Sequence, residues 1–462
     1  PPQPPDPRQP PEPPTPPAPP KDPGGPEEGG ETGDPSSGGE GSVPPAEEPP
    51  INADDFTITP GMTQEQVDAA VDAAVDAAEG VITIQDGNYG IDGEMNHIKI
   101  NLDNGNQTVQ LEENGSYHRL MFVVLTEGNT LIGNGATIYG DVSTVFNQSP
   151  AIYIPYGSLN LNGNLTIDDH DYGVILGFTN GTADKAAELC IAENARLEIV
   201  NCKSVSGNNT YDNGVVCAGT DYFSYVDTQA DGTRGSGITT KGKGYTKVTV
   251  SESAELSITD CTGSAIFSVT VSNFTLDIQK DAKVNLKNNA QGLNMNTDYS
   301  GSIDVIVDHA KLEITNNRSN GITGQAKPYL LNVKNQSTVT VDNNGSMGIN
   351  NFFIKVEDSK LSVSKNGSHG VTNVALDAEN STIVCSDNAY IGLNITKYNQ
   401  DKTSTEIKNS TVTANGNGGS GIRFYIGAGK TNITDSKIYT HENGAGTETY
   451  GYTVKPSDSG YW

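Results

Sequence analysis

The chain has 462 residues, of which 57 are acidic and 28 basic, so its formal net charge is −29 at neutral pH. This balance argues against a nucleic-acid ligand and against docking on an anionic membrane, because both need clustered lysine and arginine. Hydrophobic residues make up 34% of the chain and aromatic residues 6%, which favours many small Val- and Ile-based layers over one large core, and no apolar run is long enough to span a membrane.

The N-terminal segment differs from the rest in composition. Twenty of the 25 prolines fall within the first 50 residues, interleaved with Gly, Glu and Asp. Such a segment buries too little apolar surface to offset its ordering entropy, so residues 1–52 are predicted to be a disordered Pro/Gly/Glu-rich linker. A proline-rich ligand for an aromatic groove is the alternative. Because the sequence begins at a proline, a preceding signal or anchor lies beyond what it shows.

Residues 53–80 are predicted to form an N-terminal cap with one amphipathic helix. A capping-box pattern begins at Thr63. Val67, Val71 and Val75 then recur at a spacing of four among alanines, until a glycine ends the range. No second helical pattern follows this one.

From residue 81 onward one short phrase recurs, in which two aliphatic residues alternate with polar residues before a polar turn. Its first aliphatic residue stands at ten positions, which are Leu165, Leu197, Leu256, Val284, Leu312, Val339, Leu361, Ile383, Val412 and Ile438. A glycine followed by an aliphatic residue and then a third alternating strand complete each unit. Units this short bury their inward side chains only when stacked about 4.8 Å apart. The repeat therefore predicts a solenoid of about fourteen coils over residues 81–462.

A polar residue follows each phrase at a fixed distance. Five residues after the marker, seven consecutive units carry asparagine, namely Asn289, Asn317, Asn344, Asn366, Asn388, Asn417 and Asn443. Asparagine tolerates the left-handed conformation of a sharp corner, and stacked amides can hydrogen-bond along an axis, so we predict a single column. Upstream, Cys261, Cys202 and His170 hold the same position. The interval between the markers Leu197 and Leu256 is about twice the others, and we interpret it as one coil with an insertion near residues 217–244. Cys202 and Cys261 are then neighbours in the stack, with close thiols that could form a disulfide.

The helix, the strand Val81-Ile82-Thr83-Ile84 with the turn Gly87-Asn88-Tyr89, and the asparagine ladder together resemble the pectate-lyase-like right-handed parallel β-helix superfamily. The resemblance covers roughly residues 53–455. It implies an all-β, right-handed parallel β-helix whose N-terminal helix caps an open strand edge. It implies no single function, since the superfamily includes lyases, glycosidases, phage tailspikes and surface adhesins.

The catalytic motifs of the enzymes that share this fold are incomplete here. Of the four motifs of polygalacturonases, only Asn-Thr-Asp is matched in full, and no Asp-Asp follows it. Asp168, Asp171 and Arg196 are the only enzyme candidates, because an Asp cluster can bind Ca²⁺ and Arg196 is expected one coil away. Their corner position in the repeat favours ordinary turn chemistry. We therefore predict no catalytic residue and no required metal, with Ca²⁺ left open.

The insertion is the segment that the repeat does not require. Tyr222, Phe223 and Tyr225 lie within it, beside two aspartates in a Gly-rich stretch. Loops on a rigid scaffold often carry function, and aromatic faces suit sugar rings or a protein hot spot. These three are the candidate ligand-binding residues. In the alternative interpretation, their rings fold back over the coil.

The preferred hypothesis is a non-catalytic, extracellular bacterial adhesin or binding module, secreted or displayed on the cell surface. Its partner would be a glycan or a host surface protein. The alternative is a polysaccharide lyase or glycoside hydrolase that acts on acidic polysaccharide. The sequence does not determine the ligand, the anchor or the oligomeric state.

Overall fold

The fold is seen in a computed structural model, which describes residues 56–77, 80–90, 98–140, 150–170, 172–177, 186–202, 216–218, 245–270, 273–297, 301–324, 329–395, 404–424, 430–446 and 449–452. The chain divides into two units, residues 1–50 and 51–462. All described residues belong to the second unit, so the predicted linker over residues 1–52 lies outside them and stays a prediction.

Three faces, each made of strands from successive coils, form the body of the second unit. Face 1 contains β1 (Thr57–Ile58), β2 (Val81–Ile84), β5 (Thr108–Leu111), β8 (Asn129–Ile132), β11 (Gly157–Asn162), β14 (Ala186–Ile191), β17 (Tyr245–Val250), β20 (Asn273–Ile278), β23 (Ile303–Asp308), β26 (Tyr329–Lys334), β29 (Phe353–Glu357), β34 (Ser404–Lys408) and β37 (Lys430–Thr434). Face 2 contains β3 (Gly87–Asn88), β6 (Ser116–His118), β9 (Ala136–Tyr139), β12 (Asn164–Asp168), β15 (Arg196–Val200), β18 (Glu255–Thr259), β21 (Lys283–Lys287), β24 (Lys311–Thr315), β27 (Thr338–Asp342), β30 (Lys360–Ser364), β32 (Thr382–Val384), β35 (Thr411–Thr413), β38 (Lys437–Thr440) and β39 (Thr449–Tyr452). Face 3 contains β4 (Ile98–Leu102), β7 (Leu120–Val124), β10 (Pro150–Ile154), β13 (Tyr172–Leu176), β16 (Val216–Ala218), β19 (Ser264–Thr270), β22 (Gln291–Thr297), β25 (Ile322–Gly324), β28 (Ile349–Asn350), β33 (Leu393–Ile395) and β36 (Ile422–Phe424), while β31 (Val371–Glu379) runs through faces 3 and 1.

Neighbouring strands within a face come from consecutive coils, and they pair in parallel everywhere in the described chain except between β38 and β39. The marker residues stand directly opposite one another, as Leu312 does with Val284 on one side and Val339 on the other. All three side chains are buried. Outward positions alternate with these buried ones along each strand, as the pleat requires. The predicted all-β parallel β-helix is therefore confirmed.

One helix, α1 (Gln64–Asp76), precedes the coils, and Thr63 is its N-cap in the predicted capping box. Val67 and Val71 are buried but Val75 is exposed, because eight residues of helix rotate it about 80° away from the first valine. The helix packs against β1, β2 and β4. The side-chain amide of Gln64 accepts from the main-chain N–H of Lys99 in β4 and donates to its carbonyl, at 2.9 and 2.7 Å, so it takes the place of a neighbouring strand at this edge. Within the described residues, no helix has the length and apolar character that crossing a membrane would need.

The predicted asparagines lie in one column that runs through the corner between faces 2 and 3. The first six expose 1% of their surface or less. The main-chain N–H of each donates to the Oδ1 of the asparagine in the following coil, at 2.9–3.1 Å. From Asn317 to Asn417, the side-chain amide also donates to that oxygen and to a main-chain carbonyl of the preceding coil. Each buried amide is thereby paired at both ends, so its burial carries little desolvation penalty.

A column of glycines leaves room for this ladder. A Cβ atom at Gly348, Gly370, Gly392 or Gly421 would lie 2.6–2.8 Å from the amide nitrogen of the ladder asparagine in the next coil. None of these glycines has a positive φ, so close packing rather than backbone conformation requires them. Asparagine and the glycine four residues later thus form one coupled element of the repeat.

The two cysteines that precede the ladder lie on adjacent coils. Strand β15 pairs with β18, and the main-chain N–H of Thr262 donates to the carbonyl of Cys202 at 2.8 Å. The long marker interval is therefore a single coil with an insertion. Cys202 and Cys261 are both buried, and no disulfide joins them. Buried cysteines act here as small apolar members of the column.

We expect Asn344→Ala to lower the free energy of unfolding by about 3 kcal/mol or more, since the main-chain N–H of Asn317 and the carbonyl of Ile314 each lose a buried partner. Urea unfolding followed by circular dichroism measures this loss. Thr340→Ala on the outer face of the same coil is the matched control and should cost less than about 1 kcal/mol. Equal losses for the two variants would contradict the role assigned to the ladder.

Candidate functional site

Two of the three predicted enzyme candidates are described, and they lie apart. Asp168 ends β12 and accepts a hydrogen bond from the side-chain amide of Asn201 at 3.0 Å. Arg196 begins β15 opposite the first residue of β12, so four residues, or about 13 Å of strand, separate it from the level of Asp168. Its guanidinium instead contacts Glu198 at 3.2 Å. Asp171 lies outside the described residues, and the structure does not bring the other two together.

The candidate ligand-binding aromatics Tyr222, Phe223 and Tyr225 also lie outside the described residues. Of the segment around them, β16 is described, and it pairs with β13 before it and β19 after it. Strand β16 is therefore the face 3 strand of the coil that carries the insertion. Within the described residues, no group of three or more His, Cys, Asp or Glu side chains is arranged to hold a metal ion.

The outer surface of face 2 is a flat array of short polar side chains with one column of bases along its edge. The first outward position of each strand forms this basic column, which contains Arg196, Lys283, Lys311, Lys360 and Lys437, with Glu255 and three threonines between them. From β12 to β38, the next outward position holds Thr or Ser in five of ten strands, namely Thr166, Ser257, Thr340, Ser362 and Thr413, and the other five hold Glu198, Asn285, Glu313, Val384 and Tyr439. On a chain with a net charge of −29, this column is a local concentration of positive charge.

The basic column is only partly neutralised within the protein. Lys311 lies 2.7 Å from Glu313 on its own strand. Lys283 stands directly opposite Lys311, and no ion pair within 4.0 Å involves Lys283, Lys360 or Lys437 in the described part of the chain. Like charges in directly opposed positions destabilise a sheet. An anionic partner would remove that repulsion.

A shallow groove of about 240 Å³ adjoins the basic column at the corner between faces 1 and 2. Its lining residues are Asp281, Ala282, Lys283, His309, Ala310, Lys311 and Gln336. His309 has a positive φ of 50°, and its Nε2 lies 3.8 Å from Asp281 Oδ1. The groove therefore combines two ammonium groups, an imidazole and a carboxylate. The corner geometry gives His309 these neighbours, and nothing in the spacing of the sequence indicates them.

A second cluster lies at the corner that carries the asparagine ladder. The residue two positions after the ladder asparagine is serine in three coils, but Tyr390 in another, and 54% of this tyrosine is exposed. Its ring contacts His369 edge to face, with 4.9 Å between ring centroids. His369 itself is half-buried. The break in the serine column was the available signal for this cluster.

No protein-family model matches the chain, and no curated protein matches it by sequence. Among solved structures, the chain is similar to the crystal structure of PfbA, a surface adhesin of Streptococcus pneumoniae, with 11% sequence identity, a TM-score of 0.42, and coverage of 84% of this chain and 90% of that chain.

Proposed function

We propose that this chain is an extracellular, surface-displayed adhesin or binding module that recognises a glycan or a host protein without catalysis. The observation that carries the proposal is the basic column of face 2, which borders a groove and a field of hydroxyl groups on an otherwise acidic protein. In this proposal, residues 1–52 hold the solenoid away from the surface to which the protein is attached.

The face is suited to binding because it is preorganised. Its side chains stand on strands that are paired on both sides, and the buried ladder fixes the corner beside them. Short hydroxyl side chains lose little rotamer freedom when a partner binds, so the entropic cost of association stays low. Coils about 4.8 Å apart present similar groups at regular intervals, which favours an extended ligand that carries repeated negative charge.

We expect the double variant Lys283→Gln/Lys311→Gln to weaken binding to an anionic ligand about tenfold, since two exposed charge contacts contribute up to about 1 kcal/mol each. The measurement is binding to an array of sulfated, uronic-acid-containing and neutral glycans and of host proteins, at two salt concentrations. Wild-type binding should weaken as salt rises.

The matched control is Lys355→Gln/Lys408→Gln, which removes the same charge from face 1, where each lysine has a carboxylate partner. This variant should bind as the wild type does. A binder whose affinity falls equally in both double variants, or in neither, would refute the assignment of binding to face 2.

We also propose that the aromatic residues of the insertion contact the partner. Tyr222→Ala/Tyr225→Ala should then weaken binding to the same array by at least about tenfold, because buried aromatic side chains dominate most interfaces. Circular dichroism and the unfolding midpoint should stay unchanged, since the repeat does not require these rings. Unaltered binding would remove the insertion from the contact surface.

A second candidate function, hydrolysis of an acidic polysaccharide, is favoured by one pair of carboxylates on face 1. Asp304 in β23 stands opposite Thr275 in β20, and Asp277 is two residues further along β20. Strand spacing and rise place the Cα atoms of the two residues about 8 Å apart, so their side chains can reach the separation that inverting glycosidases use. Burial raises the pKa of Asp304, while Asp277 is ion-paired with Lys247 at 3.2 Å. A carboxyl group with a raised pKa beside a second carboxyl group that contacts a lysine matches the two roles, general acid and general base, that such hydrolysis needs.

Under this candidate, the protein releases reducing ends from acidic polysaccharide, and Asp304→Asn lowers that rate at least about 100-fold because the general acid is lost. Asp308→Asn, in the same strand but beside Lys334, is the control and should keep the activity. Absence of reducing ends from the wild-type reaction would dismiss the hydrolase.

A further inference from the structure

The corner between faces 2 and 3 has nearly the same main-chain hydrogen bonds in each coil from Asn317 onward, so a residue that differs from its equivalents in the other coils is easily recognised. Between the ladder asparagine and the coupled glycine, main-chain hydrogen bonds join equivalent residues of consecutive coils, for example Tyr390 N–H to the carbonyl of Ser368 at 3.0 Å. Equivalent outer positions hold serine, glycine or alanine in the other coils of this run. Tyr390 therefore projects from a surface otherwise lined by small residues, and the fold does not need its ring.

His369, on the coil before Tyr390, supplies a polar atom without a partner. Its Nδ1 has no accessible surface and makes no hydrogen bond. Burial, and after it the positive charge of Arg423, lowers the pKa of this imidazole and so favours its neutral form. A neutral imidazole offers one donor and one acceptor nitrogen, and a hydroxyl group can pair with either.

Asn394 supplies a second unpartnered atom, on the outer side of face 3. It stands opposite Thr372 on one side and Arg423 on the other. Its side-chain amide donates to the Thr372 hydroxyl at 3.0 Å, but its Oδ1 is buried and makes no hydrogen bond, although only 8% of the residue is exposed. Leaving a buried acceptor unpaired costs about 1–3 kcal/mol, so such atoms are rare in native proteins outside sites that bind something.

The ring pair of His369 and Tyr390 lies at the corner, and the pair of Thr372 and Asn394 lies at the start of face 3, on the same two coils. Asn394 is four residues along the chain from Tyr390, and Thr372 is three residues along from His369, so at most about 13 Å of chain separates the ring pair from the amide. Arg423 stands opposite Asn394 in the next coil. A site of up to this length accommodates an extended segment of two or three sugar rings.

We infer that the corner formed by His369, Tyr390, Asn394 and Arg423 is a binding site for an acidic oligosaccharide. A sugar ring packs on the exposed face of Tyr390, and a carboxylate lies against Arg423. Hydroxyl groups pair with His369 and Asn394 once a rotation of these two side chains has brought His369 Nδ1 and Asn394 Oδ1 to the surface. A sugar supplies hydroxyls, a flat apolar ring face and a uronate together, whereas an acidic peptide supplies charge without the ring face. The site deepens the proposed binding function, on which it rests, and lies on a different face from the basic column.

The experiment is calorimetric titration of the full chain with a glucuronic acid trimer, a glucose trimer of the same linkage, and a tri-glutamate peptide. We expect the glucuronate trimer to bind most tightly. Tyr390→Ser, which restores the residue of neighbouring coils, and Arg423→Gln should each weaken it at least about tenfold. The imidazole signals of His369, but not those of His309, should shift on binding in NMR spectra.

The control variant is Lys283→Gln/Lys311→Gln on face 2, which should leave the affinity of the trimer unchanged. Three results would overturn this site. They are failure of the glucuronate trimer to bind, binding of the trimer by Tyr390→Ser and Arg423→Gln as tightly as by the wild type, and tighter binding of the peptide than of the trimer. If the site fails but binding to the array still depends on Lys283 and Lys311, the proposed function stands. Failure of this site can therefore be distinguished from failure of the proposed function.

Discussion

Axial hydrogen bonding between stacked coils is the constraint on which the rest of this structure depends. No coil has enough apolar surface to fold alone, because its three strands are short and its inward side chains are few. Each strand therefore completes its main-chain hydrogen bonds with the coils before and after it. At the corner, the main-chain N–H of each ladder asparagine donates to an asparagine Oδ1 of the next coil, so the amides add a side-chain ladder to the main-chain hydrogen bonds there. The glycine column exists because the amides occupy the space a Cβ would need.

This constraint divides the residues into those that the coil requires and those that it leaves free. Inward positions and the corner hold mainly aliphatic residues, asparagine and glycine, with aromatic residues such as Phe274 and Tyr329 and with Cys202 and Cys261 as the exceptions. Outward positions face no such restriction, so their composition reflects solubility and partners. The unpaired lysines of face 2 and the tyrosine at position 390 both occupy free positions and both depart from what an inert surface would carry. Departures from a repeat are the natural place to look for function in a solenoid.

The charge distribution connects these surfaces to the choice of ligand. A strongly acidic protein repels anions over most of its surface, so an anionic partner is held only where bases are concentrated. Face 2 offers its bases in a row, beside hydroxyls. The corner at Tyr390 offers one guanidinium beside an aromatic ring and unpaired buried acceptors. The first arrangement suits long-range attraction of an extended chain, and the second suits recognition of a short segment of it.

The sequence by itself determined the fold. Every coil needs the same residue types at equivalent positions, so the same short pattern recurs along the chain. Marker aliphatics, the asparagine column and the single-coil insertion were all read from spacing, and so was the stacking of Cys202 on Cys261. The ring pair of His369 and Tyr390, the opposition of Lys283 and Lys311, and the distance between Asp168 and Arg196 were decided only by the tertiary structure. They depend on register between coils of unequal length, where an offset of a few residues along a strand separates a contact from a gap of 13 Å or so. Periodicity fixes which residues face inward or outward, but only the assembled strands fix which outward residues meet.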